Sequence, residues 1–176
     1  DIVLTKTAPN GITLFSVRHD NVDSTRHEVA TWVETDSTGG AYVSGTTGEG
    51  VSCTVAERKA VMEEWIARSR GRLYLIIHVG ALSIRDACEL AAHAQSAGAD
   101  ATSVVPANFF KPGSISSLVD YVGAIASRAP KLPFYYYHTT MSGVSLPMPG
   151  FLEAADGRIP NLAGIKFNTP DLYEYQ

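Results

Sequence analysis

The residue types best suited to chemistry stand at the ends of short apolar runs. Asn161 to Phe167 reads NLAGIKF, with Leu162 to Ile165 apolar and Lys166 following. A strand that carries an ammonium at its carboxyl end from desolvated surroundings lowers that lysine's pKa, because burial disfavours the charged form. A lysine that loses its proton near neutral pH attacks carbonyls and forms a Schiff base. Taken alone, the commoner reading of such a lysine is a stem that packs and an ammonium that reaches water.

Two further stretches change that balance. PFYYYH, Pro133 to His138, reads as a strand, so Tyr135 and Tyr137 point to one face and Tyr136 to the other. Tyr137, nearest the carboxyl end, is the candidate acid/base group; an aromatic core with hydroxyls at its rim is the alternative. GTTGEG, Gly45 to Gly50, converges backbone N–H groups and the hydroxyls of Thr46 and Thr47, a loop suited to a carboxylate or phosphate. By itself it is also a plain strand-to-helix turn, and it is neither a Walker A loop nor a GxGxxG fingerprint. Together the three supply what a lysine condensing with a keto acid needs: an acid/base partner for the carbinolamine and a pocket for the adjacent carboxylate. The protonated imine then draws electrons from the neighbouring carbon–carbon bond. His78 and His138 also stand near strand ends, but a lone strand histidine is more often structural, and both are left out of the chemistry. No metal-ligand spacing is seen, and no Ser-His-Asp arrangement can be read.

The elements that must position these residues alternate. Ile2 to Leu4 reads as a weak strand, Ala8 to Gly11 as a turn, and Ser24 as the cap of a helix carrying Val29, Trp32 and Val33. Ala41 to Ser44 reads as a strand running into the glycine loop. Thr54 and Glu57 make a capping box for a helix to about Arg70, with Val55, Val61, Met62, Trp65 and Ile66 as its apolar face. Leu73 to Gly80 is a buried strand; Ser83 and Asp86 start a helix carrying Ala87, Leu90, Ala91 and Ala94, which Gly98 stops. Ala101 to Pro106 is a strand, Leu118, Val119, Val122 and Ile125 mark a helix, and Pro147 to Asp156 is a short or broken helix. Strand and helix recur about every 30 residues, the rhythm of a (β/α)8 barrel, and a doubly wound open sheet fits the same period. Either fold gathers its chemistry at the carboxyl ends of parallel strands. Six strands are expected, so a barrel needs two more beyond Gln176.

The chain has 176 residues and a formal charge of -4. That length supports one domain, and the mild acidity argues against nucleic acid or an anionic membrane as partner. No apolar run is long enough for a membrane span, and the first residues are not expected to act as a signal peptide. Cys53 and Cys88 read as free thiols of a reducing compartment, which makes the cytoplasm the expected location.

GTTGEG, the aromatic strand ending in Tyr137 with Ser142-Gly143 after it, and GIKF resemble the N-acetylneuraminate lyase / dihydrodipicolinate synthase family of class I pyruvate aldolases. The resemblance runs from about Tyr42 to Tyr173, with residues 1–41 poorly matched, inside a single domain over 1–176. LIIHVGALS, AGAD, FFKP, LPFYYYH and GIKF are especially similar to the animal lyase branch. The resemblance implies a (β/α)8 barrel, here truncated after about six strands, and a homotetramer when full length. It makes Lys166 the Schiff-base lysine and Tyr137 the proton-transfer residue, with Thr46 and Thr47 on the pyruvate carboxylate. The only covalent adduct implied is the imine of Lys166 with pyruvate, so no cofactor is expected. The implied reaction is reversible cleavage of sialic acid, a small-molecule keto acid, to pyruvate and N-acetylmannosamine. A synthase-like aldolase of the same family is the alternative, as is a truncated, non-catalytic chain. The synthase branch has an arginine where Met141 stands and a tyrosine near Phe109 and Phe110. The loop HTTMSG is about one residue shorter than the usual family loop and lacks its proline. Residues 1–176 expressed alone are expected to be inactive and poorly folded, because an incomplete barrel leaves strand edges unpaired.

Overall fold

A computed structural model describes residues 2–7, 13–19, 33–35, 41–43, 49–69, 73–107 and 109–169. At the N-terminal side, β1 (Ile2–Thr7) pairs antiparallel with β2 (Thr13–His19), and β3 (Val33–Thr35) with β4 (Ala41–Val43). This corrects the expectation that Ile2 to Leu4 and Ala41 to Ser44 are strands of the parallel sheet. The connections from Thr7 to Thr13 and from Thr35 to Ala41 are too short for a helical crossover, so each pair closes as a ribbon. Val33, assigned to a helix from Ser24, lies in β3; Ser24, Val29 and Trp32 fall outside the described residues.

From residue 55 onward the alternation holds. Helix α1 (Val55–Ser69) leads to β5 (Ile76–His78), α2 (Ile84–Ala97) to β6 (Ala101–Val104), α3 (Ile115–Ala126) to β7 (Phe134–Thr139), and α4 (Met148–Ala155) to β8 (Leu162–Asn168). The four strands lie in the order β5-β6-β7-β8, every neighbour parallel. Each helix begins where its sequence provides a start. The Thr54 N–H donates to Glu57 Oε2 at 2.8 Å and the Glu57 N–H to Thr54 Oγ1 at 3.2 Å, both arms of a capping box. Ser83 caps α2 through the Asp86 N–H, and Gly98 ends it at φ 92°, a left-handed conformation that favours glycine. Ser114 and Ser117 form a capping box for α3 that no acidic residue advertises. Helix α4 is short but unbroken: Pro149 sits in its first turn, where a missing N–H leaves no helical bond unmade. A Cβ on Gly150 would stand 2.8 Å from Ile115 Cδ1, so glycine lets α4 approach the start of α3.

The helices and one face of the sheet enclose the core. Met62, Ile66, Leu90, Leu118, Val122, Phe134, Tyr136 and Phe151 are buried there, and the Tyr136 and Phe151 rings lie 5.0 Å apart. Val61, expected on the apolar face of α1, is exposed. Asn161 fixes the entry of β8: its Nδ2 donates to the carbonyls of Ala126, Ala129 and Leu132 at 3.0–3.2 Å, while its own carbonyl accepts from the Phe134 N–H at 2.8 Å. The loop before β7 and the start of β8 are thereby tied together, which sets the register of the strand that carries the lysine. Among the described residues no helix is long and apolar enough to cross a membrane.

Candidate active site

Register across the sheet decides which side chains share a face. Tyr137 pairs with Lys166, Thr139 with Asn168, and Tyr135 with Gly164; Tyr135 in turn pairs with Ser103, and Ser103 with His78. By the two-residue period of a strand, His78, Ser103, Tyr135, Tyr137, Thr139, Lys166 and Asn168 belong to the face away from the helices. Tyr136, Val104, Ile165 and His138 belong to the other.

Lys166 and Tyr137, the two catalytic candidates of the sequence, are thus brought together. The Lys166 ammonium lies 4.1 Å from the centroid of the Tyr137 ring, and the Tyr137 hydroxyl accepts a hydrogen bond from Asn168 Nδ2 at 3.2 Å. With that lone pair engaged, the phenol keeps its own proton available to donate. Thr46 and Thr47, the carboxylate-binding candidates, lie outside the described residues.

A pocket of about 210 Å³ opens at the carboxyl ends of the strands, lined among others by His78, Lys111, Tyr137, Thr139, Met141 and Ser142. Among the described residues none lining it is acidic, while Lys111 supplies a positive charge, so it suits an anion. The turn after β7 shapes one wall. Thr139 Oγ1 accepts from the Met141 N–H at 3.4 Å, Ser142 Oγ donates to the Thr139 carbonyl at 2.7 Å, and the Val144 N–H donates back to Ser142 Oγ at 3.2 Å. Gly143 takes φ 64°, and the Lys111 ammonium occupies the space a side chain there would need. The loop HTTMSG is therefore a compact turn that leaves Thr139 facing the pocket and Met141 exposed at its mouth.

His78, left out of the chemistry on the sequence, lines this pocket. The Val105 N–H donates to its Nε2 at 3.1 Å. A Cβ on Gly80 would stand 2.6 Å from His78 Cε1, so only glycine lets the ring lie there. From α1, Arg58 Nη1 donates to the Gly80 carbonyl at 2.8 Å and Nη2 to the His78 carbonyl at 3.0 Å. Burial first, then the Arg58 and Lys166 charges, hold the His78 pKa down at about 3, so the imidazole is neutral. The signal that separates His78 from His138 is strand parity combined with register, which a single strand's sequence does not contain. The same parity, two residues beyond Lys166, points to Asn168. His138 lies buried on the helix-packed face, its ring 5.3 Å from Phe167.

Residues 19–176 match the model of the dihydrodipicolinate synthetase family. The chain belongs to that family. Among curated relatives it is 46% identical over 136 residues to N-acetylneuraminate lyase A of Xenopus laevis, covering 76% of this chain and 45% of the relative. It is 39% identical over 173 residues to the N-acetylneuraminate lyase of Gallus gallus, covering 97% and 54%. Among solved structures, the Proteus mirabilis N-acetylneuraminate lyase matches with a TM-score of 0.74 and 57% identity over 77% of this chain and 46% of that one. The chain spans about half the length of the curated relatives it matches. Family and neighbours decide between the two architectures open on periodicity: the fold class is the (β/α)8 barrel, of which β5 to β8 form an open four-stranded arc.

Proposed function

We propose that the protein to which this chain belongs is a Schiff-base lyase that reversibly cleaves N-acetylneuraminate to pyruvate and N-acetylmannosamine. The observation that carries the reading is the pairing of Lys166 with Tyr137 beside an anion-suited pocket, the ammonium 4.1 Å from the ring centre. In this reading the neutral Lys166 amine attacks the C2 ketone of the open-chain sugar acid. Tyr137 passes a proton to the carbinolamine oxygen, which leaves as water. The resulting iminium accepts the electron pair of the C3–C4 bond as the C4 hydroxyl loses its proton. N-acetylmannosamine departs as the aldehyde, and the enamine is reprotonated and hydrolysed to pyruvate and free lysine. Thr46 and Thr47 hold the carboxylate. No cofactor enters, since the lysine imine is itself the electron sink. A single domain, a homotetrameric full-length protein and a cytoplasmic location belong to the same proposal.

A synthase-like reaction has less support. A second carboxylate-bearing substrate needs a cation in the turn after β7, where Met141 is 80% exposed at the pocket mouth and cannot pair with it. The relatives at 39–46% identity given above carry the lyase name. The test is an assay of the full-length protein with sialic acid, and with pyruvate offered N-acetylmannosamine and aspartate semialdehyde in competition. Release of pyruvate from sialic acid and preferential condensation with the amino sugar are expected. Preferential condensation with the semialdehyde overturns the choice of branch.

A further inference from the structure

His78 is built into the pocket wall more firmly than a strand-end histidine requires. Its ring is fixed by the Val105 N–H on Nε2, by the missing side chain of Gly80, and by the Arg58 grip on the His78 and Gly80 carbonyls. An Nε2 that accepts a hydrogen bond carries no proton, so the neutral ring carries its proton on Nδ1. No hydrogen-bond partner takes Nδ1 among the described residues, and the ring lines the same pocket as Tyr137. Resting on the keto-acid lyase reading above, we propose that His78 is a substrate-binding residue whose Nδ1–H donates to the carboxylate of the bound keto acid. A carboxylate has two oxygens and about four lone-pair sites, so it can accept this donor together with others. A neutral donor also suits this place: an imidazolium beside Lys166 would bind the same anion but repel any protonated form of the lysine–imine system. Arg58 is then a positioning residue, since it holds the backbone from which the ring projects.

Two substitutions in the full-length enzyme separate this role from packing. In His78→Gln the side-chain amide reaches the place of Nε2, keeps an acceptor for the Val105 N–H, and loses the Nδ1 donor. In His78→Asn the amide nitrogen stands near Nδ1 and the acceptor for Val105 is lost. The expected result is a KM for pyruvate raised about tenfold in His78→Gln, the factor equivalent to about 1.4 kcal/mol, with little change in Tm. His78→Asn should keep KM within about threefold of wild type while its Tm falls. The reverse pattern, with His78→Gln unchanged in KM and His78→Asn impaired, overturns the proposal in favour of a structural role. An unchanged KM in both variants overturns it as well. If the wild-type enzyme itself neither condenses nor traps pyruvate, the lyase reading fails and this inference with it. A wild type that traps pyruvate beside an unaffected His78→Gln variant overturns this inference alone.

Discussion

Consecutive residues of β7 meet opposite surroundings. Tyr136 is fully buried among the helices against Phe151, and its hydroxyl has no partner among the described residues. Burial first, then Tyr121, pushes its pKa upward, beyond use as an acid or base near neutral pH. Tyr137 faces the other way, carries the Lys166 ammonium over its ring and accepts a hydrogen bond from Asn168. The histidines repeat the contrast, His78 at the pocket and His138 buried on the opposite face beside Phe167. Identical side-chain chemistry is packed among helices on one face and left at a pocket on the other. Strand parity and the register between strands, rather than residue type, make the assignment.

The largest expected effect that breaks or sharpens this contrast is at Tyr137. Tyr137→Phe keeps nearly all the apolar area and removes the proton, so turnover of the full-length enzyme should fall by roughly 10²–10⁴ with the fold intact. Steady-state kinetics with a circular dichroism melt checks it, and turnover within a few-fold of wild type would mean the proton moves elsewhere. An intermediate effect concerns acid stability. The folded pKa of His78, about 3, lies below its ordinary 6.5, so the unfolded chain binds a proton that the folded chain refuses. The associated stability is complete above pH 6.5 and is lost as pH falls towards 3. Denaturant titrations between pH 6 and 4 should show wild type losing up to about 1.4 kcal/mol more per pH unit than His78→Gln. Parallel curves would mean that the ring is protonated in the folded state. The smallest effect is on the other face. Tyr136→Phe deletes a buried hydroxyl without a described partner, so activity should stay within about twofold and stability should be unchanged or higher by up to about 1 kcal/mol. A large loss of turnover in that variant would end the distinction between the faces.

Much of this arrangement is legible in the sequence because it is local. The Thr54–Glu57 box, the Ser83 cap and the Gly98 stop are written within a few residues of the helix ends they create. The alternation of Tyr135, Tyr136 and Tyr137 follows from strand geometry alone. What was not legible depends on partners distant in sequence. Ile2 to Leu4 and Ala41 to Ser44 read as parallel strands by period, but each pairs across a short link with its neighbour in sequence, as an antiparallel ribbon. His78 is one of two strand-end histidines until the register with Ser103 and Tyr135 puts it on the face that carries the pocket. Nothing in the stretch NLAGIKF marks out Asn161, and only the proximity of the carbonyls of Ala126, Ala129 and Leu132 shows what it holds.

The central claim, that the face bearing Tyr137 and Lys166 forms an imine with a keto acid, is tested most directly by trapping it. Full-length protein incubated with pyruvate and borohydride, digested and mapped by mass spectrometry, should carry one reduced pyruvyl adduct, on Lys166. An adduct on Lys111 or another lysine, or none at all while the enzyme still turns over, would contradict the account.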